Sequence, residues 1–160
     1  MKLEKTFFVE APPDKVAKAM RDAAFIEHDE KARDTVSVKV VEVKKTKDEH
    51  QFEIQTVNYV RGLTGIDRSK TENNKSVTRW DLKQNVCSWT WHGGGEYADK
   101  AKIAGGHSLI AQGKGTDVRM WVDIDVSVPL LGKTISKKVA AGFESEWPNY
   151  INRLNRWLKK

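Results

Sequence analysis

Between Val118 and Val128 the chain alternates, with Val118, Met120, Val122, Ile124, Val126 and Val128 apolar and Arg119, Trp121, Asp123, Asp125 and Ser127 between them. Successive side chains of a strand point to opposite faces, so this pattern predicts a half-buried strand with one wholly apolar face. Pro129 cannot donate to a sheet ladder and keeps the preceding residue extended, which predicts that the strand ends at Val128. A helical period then takes over. Ile135, Val139, Gly142 or Phe143, Glu146 or Trp147, Tyr150, Leu154 and Trp157 or Leu158 form one stripe, the mark of a long amphipathic helix. Pro148 lies inside it and removes the bond back to Glu144, so the helix is expected to bend there and continue.

The same two periods recur upstream. Leu3, Phe7 and Val9 predict a first strand, and the prolines of APPDKVAKAM open a helix with Val16, Ala19 and Met20 on one face. A second short helix is expected over 23–30. Residues 35–45 and 50–60 read as a hairpin around the polar TKDE turn, and SVTRWDLKQ and VCSWTWH as another, reversed at Asn85. Between these hairpins, RGLTGIDRSKTENNK (61–75) reads as a long flexible connection. GGGEYADK is expected to be a mobile loop, and AKIAGGHSLIAQ a strand weakened by Gly105 and Gly106 that returns through the GKGT turn.

The last strand and the last helix each present an apolar face and are joined by a tight corner, so the helix must fold back over the sheet. One helix cannot cover the inner face of six or seven strands. What remains is either side-chain core or a pocket.

Composition narrows the reading. The chain of 160 residues, 39% hydrophobic and 31% charged, shows no repeat and no linker, and is expected to form one domain over 1–160. It contains no apolar run of signal-peptide or membrane-span type, so a cytoplasmic location is expected. Cys87 is the sole cysteine, which excludes an internal disulfide and fits no zinc spacing; a buried inert thiol is the expectation, with no metal and no cofactor. The net charge is +6. The lysine clusters at 44–47, 133–138 and 159–160 are candidates for contact with an anionic membrane surface. Nucleic acid is not an expected partner, because no recognition motif occurs and the aromatic residues belong to the sheet interior.

Strand alternation places Phe52, Ile54, Thr56 and Asn58 on one face, as it does Thr78, Trp80 and Leu82, and Cys87, Trp89 and Trp91. With Val122 and Ile124 they are expected to face the helix. Large apolar walls with a few polar groups are the composition of a small-molecule pocket, and solid core accounts for the apolar members equally well. His107 follows two glycines, where backbone can approach a ligand closely and imidazole can act as acid or base; a satisfied or surface histidine is the plainer alternative. His92 and Glu96 flank three glycines but lack a serine nucleophile motif or a second histidine at ligand spacing. Asp117, Asp123 and Asp125 fall at the strand's ends and outer face. No catalytic residue is assigned.

The element order, one strand, two short helices, about six further strands and a long C-terminal helix, resembles the START-like superfamily. That superfamily includes the plant Bet v 1 allergens and bacterial polyketide cyclase-like (SRPBCC) proteins. VEAPPDKVAKAMRD (9–22) is similar to the family's first strand and helix, and GKGTDVRMWVDIDVSVPLLGKTISKKVAAGFESEW (113–147) to its last strand and final helix. The Pro129-Leu130-Leu131-Gly132 joint is similar to that of an uncharacterised bacterial branch. The resemblance implies an α+β helix-grip fold, a curved antiparallel sheet of six or seven strands wrapped around the C-terminal helix. It also implies a carrier or sensor of a hydrophobic small molecule, lipid or polyketide-like, held in a cavity between sheet and helix. The expected lining is Phe52, Ile54, Thr56, Asn58, Trp80, Trp89, Trp91, His107, Val122, Ile124, Phe143, Trp147 and Tyr150. A cyclase or dehydratase in which His107, Asn58 or Tyr150 moves protons is one alternative. A chaperone-activator-like interaction module is another, and the chain is expected to be a monomer or dimer.

Overall fold

The computed structural model describes residues 1–160. Strand β1 (Lys2–Val9) leads into helices α1 (Pro13–Met20) and α2 (Ala23–Ala32). Strands β2 (Ser37–Lys45), β3 (Glu49–Gly62), β4 (Gly65–Asp81), β5 (Val86–His92), β6 (Ala101–Gln112) and β7 (Gly115–Val126) follow, and helix α3 (Gly132–Leu158) closes the chain. The seven strands form one antiparallel sheet in the order β1-β7-β6-β5-β4-β3-β2. Sequence neighbours pair as hairpins, and β1 closes on β7. No helix is long and apolar enough to cross a membrane.

Three boundaries differ from the sequence expectation. Residues 61–75 are not a flexible connection: β3 and β4 run on as a hairpin arm that turns at Leu63 and Thr64, with Gly65 at φ 135°. The arm extends beyond the paired part of β5, and residues 61–71 are all exposed, so both faces need polar side chains and the inside–outside alternation fades. The β4–β5 turn takes four residues, with Asn85 in the left-handed region at φ 52°, a conformation asparagine tolerates better than most residues. The last strand stops at Val126, two residues before the position set by Pro129. Helix α3 runs through Pro148 without a break.

The three helices lie on the concave side of the sheet, where Val9, Val16, Phe25, Trp80, Val118 and Leu154 form the centre of the core. Asp22 caps α2 by accepting from the Ala24 amide at 2.9 Å. Helices α2 and α3 are tied by a buried ion pair, Arg153 Nε donating to Asp29 Oδ1 at 2.8 Å, with Glu146 as a second acceptor for Arg153. Phe25 meets Tyr150 and Trp157 edge-on at 5.7 and 5.6 Å. These contacts hold the C-terminal half of α3 against α2, and its backbone approaches β7 and β1. On the concave face of the remaining strands, His50 of β3 meets Arg21, which follows α1, and Trp89 of β5 meets Phe143 of α3.

Candidate functional site

Register carries the inner-face residues across the sheet in rows. Trp80 stands beside Cys87, Cys87 beside His107, and His107 beside Met120. The next row runs Phe52, Thr78, Trp89, Gly105 and Val122; the one after it runs Ile54, Ser76, Trp91, Ile103 and Ile124. Thr56 with Asn74, and Asn58 with Glu72, continue the face towards the hairpin arm. Rows repeat every two residues, about 6.7 Å, so five rows span roughly 27 Å. Of the thirteen expected lining residues, Phe52, Trp80, Val122, Ile124 and Trp147 are buried in the core. Ile54, Thr56, Asn58, Trp89, Trp91, His107, Phe143 and Tyr150 face the same interior but are only half-buried.

Helix α3 supplies two contacts that divide this space. Phe143 stacks on Trp89 at 5.9 Å, and Tyr150 stacks on His107 at 6.4 Å. Beyond the Phe143–Trp89 stack lies a polar end. Thr56 donates to Asn58 Oδ1 at 2.7 Å, Asn74 Nδ2 donates to the same oxygen at 2.9 Å, and Asn74 Oδ1 accepts from the Gly94 amide at 3.2 Å. Sequence reasoning missed Glu72, Asn74, Ser76 and Ile103. The first three share the parity of Thr78 and Trp80; for Glu72 and Asn74 that signal was lost by assigning 61–75 to a loop, while Ser76, already within the predicted strand, is a small polar residue that alternation alone does not single out.

The glycines have fillers. A Cβ at Gly105 would meet the Trp89 ring at 2.4 Å, and one at Gly106 would meet the Cys87 carbonyl oxygen at 2.3 Å and Trp121 at 2.8 Å. The glycines before His107 therefore admit two indoles, Trp89 inside and Trp121 outside. In the loop after β5, a Cβ at Gly93 would meet the Trp91 ring at 2.1 Å and one at Gly94 the Asn73 carbonyl oxygen at 2.6 Å. That loop presses against β4. His92 lies on the outer face, 3.1 Å from Thr90 Oγ1.

Electrostatics makes the deep end neutral. Desolvation lowers the His107 pKa to about 4 and raises that of Tyr150 well above its ordinary range. Burial pushes the Cys87 thiol up as well, so it is no thiolate nucleophile at neutral pH. His107 Nδ1 is enclosed and has no hydrogen-bond partner within the chain, a costly state for a buried polar atom. His50, also buried, is fully paired: Arg21 donates to its Nδ1 at 3.0 Å, and its Nε2 lies 2.7 Å from Glu42.

The His107 shift predicts acid sensitivity. A histidine with its folded pKa below its unfolded pKa contributes stability that is present above the unfolded value and is lost as pH falls towards the folded value. The window is therefore from about 6.5 down to about 4. Between pH 7 and 5 the contribution falls by about 2 kcal/mol. Urea titrations of wild type and His107→Gln at both pH values check this, and an unchanged pH slope in the variant would refute it.

Two surface depressions lie elsewhere. One of about 350 Å³ sits between Phe8, Glu10 and the C-terminal turns of α3. The other, about 710 Å³ and open, crosses Lys39, Gln55, Lys75 and His92, which form one cross-strand row on the outer face.

A seven-stranded antiparallel sheet curled around a long C-terminal helix, with two short helices after its first strand, is the Bet v 1-like helix-grip fold. Within that class, the chain belongs to the family described as "Protein of unknown function (DUF2505)", whose match spans residues 6–158. No curated protein matches the sequence. Among solved structures, the Zhui aromatase/cyclase from Streptomyces sp. R1128 aligns with TM-score 0.66 at 14% identity, over 99% of this chain and 93% of that one. Ara h 8.0201, a Bet v 1 allergen, aligns with TM-score 0.65 at 15% identity, over 99% and 97% of the two chains. A START superfamily protein from Mycobacterium smegmatis aligns with TM-score 0.59 at 13% identity, over 99% and 97%. At these identities the likeness is one of fold.

Proposed function

We propose that the protein holds a hydrophobic small molecule, lipid-like or polyketide-like, between the concave face of the sheet and α3, as carrier or sensor. The observation that carries this reading is the half-buried inner face: Ile54, Trp89, Trp91, Ile103, Phe143 and Tyr150 point inwards yet lack full cover. An apolar guest completes their packing, contributing about 0.8 kcal/mol per buried methylene. Ten methylenes amount to roughly 8 kcal/mol before the costs of association and ordering. The His107–Tyr150 stack closes the deep end of this face, with His107 Nδ1 enclosed behind it.

The structural neighbours suggest ligand binding or polyketide cyclase activity as classes. The deep end favours binding. Burial keeps His107, Tyr150 and Cys87 uncharged at neutral pH, whereas general acid–base catalysis is best served by a group titrating near the operating pH.

Native mass spectrometry of the purified protein, compared with a denaturing extract, tests the reading. The expected result is a retained apolar compound, or saturable uptake of a fluorescent fatty acid. A protein that emerges empty and ignores fluorescent fatty acids would overturn it.

A further inference from the structure

The antiparallel order brings four connections to one end of the molecule: 33–36 before β2, the hairpin tip after Gly62, the loop between β5 and β6, and the corner between β7 and α3. They are linked there. Lys138 Nζ donates to the Gly62 and Leu63 carbonyl oxygens at 2.6 Å, Arg68 pairs with Asp34, and the Ser127 amide donates to the Lys100 carbonyl at 2.8 Å. Each connection, or the strand turn beside it, exposes a large apolar or aromatic side chain: Val36, Leu63 with Ile66, Tyr97, and Leu130. Leu130 is 103% exposed and sits at φ 66°. Left-handed backbone suits asparagine or glycine better than leucine, so neither packing nor backbone geometry accounts for a leucine at this position.

The charge at this end complements the apolar tips. Arg61, Lys70, Lys100, Lys133 and Lys137 are exposed and make no ion pair, and Lys138 stands above the hairpin tip. Asp34 is neutralised by Arg68, and Asp67 accepts from Ser69. Asp67, Glu72, Glu96, Asp99 and Asp125 are the carboxylates without an ion pair, one fewer than the six cations. The lysines at 44–47 and 159–160 lie at the opposite end, beside the β2–β3 turn and the end of α3.

From this coincidence we infer that the end carrying Leu63, Ile66 and Leu130 docks on a lipid bilayer with anionic headgroups. The leucines enter the interface and the cations meet the phosphates. This inference rests on the exposed loops and their charge and does not depend on what the interior binds.

Flotation with phosphatidylcholine vesicles, with and without phosphatidylglycerol, tests it. Binding is expected only when phosphatidylglycerol is present and is expected to weaken with salt. Leu130→Asn, a change the φ value tolerates, combined with Leu63→Asn is expected to reduce vesicle binding about tenfold or more while thermal stability and fluorescent fatty acid uptake are retained. Lys133→Gln with Lys137→Gln is expected to cost roughly fivefold per lysine. Val43→Asn with Ile110→Asn, also exposed but outside these connections, is expected to change nothing. Equal binding to neutral vesicles, full binding by the leucine double variant, or loss in the Val43 and Ile110 control would overturn the proposal. So would a concentration-dependent dimer abolished by Leu130→Asn, which would assign the patch to a second copy of the chain.

Discussion

Arg153→Leu is expected to destabilise the fold by about 3–5 kcal/mol, read as a lowered urea midpoint at pH 7, because it leaves the Asp29 carboxylate buried without its partner. Asp29 is 5% exposed and Arg153 9%, so water cannot replace the lost hydrogen bond. Arg33 lies 3.9 Å from the other Asp29 oxygen, but its side chain is 42% exposed and it is already engaged by Glu30; it recovers only part. Desolvation already raises the Asp29 pKa against the pull of both arginines, and loss of Arg153 raises it further. A group whose folded pKa is raised contributes stability below its unfolded pKa that is lost as pH rises through the folded one. The variant's deficit is therefore expected to be greater at pH 7 than at pH 5. Asp29→Leu combined with Arg153→Leu is expected to be more stable than Arg153→Leu alone, since no charge is then stranded. A deficit under about 1 kcal/mol in the single variant would mean that the pair does not fasten α2 to α3.

The second large effect separates core from lining. Trp80 is 1% exposed, stands between His50 and Cys87 across the sheet, and has its ring 6.4 Å from that of His107. Trp80→Ala is expected to cost about 3–5 kcal/mol, because the surroundings relax only partly around the cavity. Trp91 points into the same interior but is half-buried, its ring resting on Gly93. Trp91→Ala is expected to cost under about 1.5 kcal/mol in stability and to weaken fluorescent fatty acid binding about tenfold, the loss of one aromatic wall. Denaturant titration and ligand titration of the two variants are read together. If both lose stability equally and neither loses ligand, the interior is solid core and the carrier reading fails.

What the sequence determined by itself is local periodicity and its direct consequences. Alternation from Val118 to Val126 and the stripe from Ile135 to Leu158 were enough for a half-buried strand and a long helix. With the proline-containing corner between them they also required the helix to fold over the sheet, because two apolar faces so joined have no other way to leave water. Alternation likewise placed Phe52, Trp80, Trp89 and Val122 on one inner face.

The tertiary structure decided whatever depends on residues far apart in the chain. The arm at 61–75 pairs through its backbone, and a ladder open to solvent on both faces leaves no hydrophobic period to read, so Glu72 and Asn74 entered the site only through register. The Arg153–Asp29 pair spans 124 positions, and nothing near either residue announces the other. Half-burial was decided in the same way. Trp89 and Trp91 have the same local pattern as Trp80, and the difference arises along the strands: the Trp80 row lies at the end where Arg21 reaches His50, whereas Trp89 and Trp91 stand one and two rows nearer the hairpin arm.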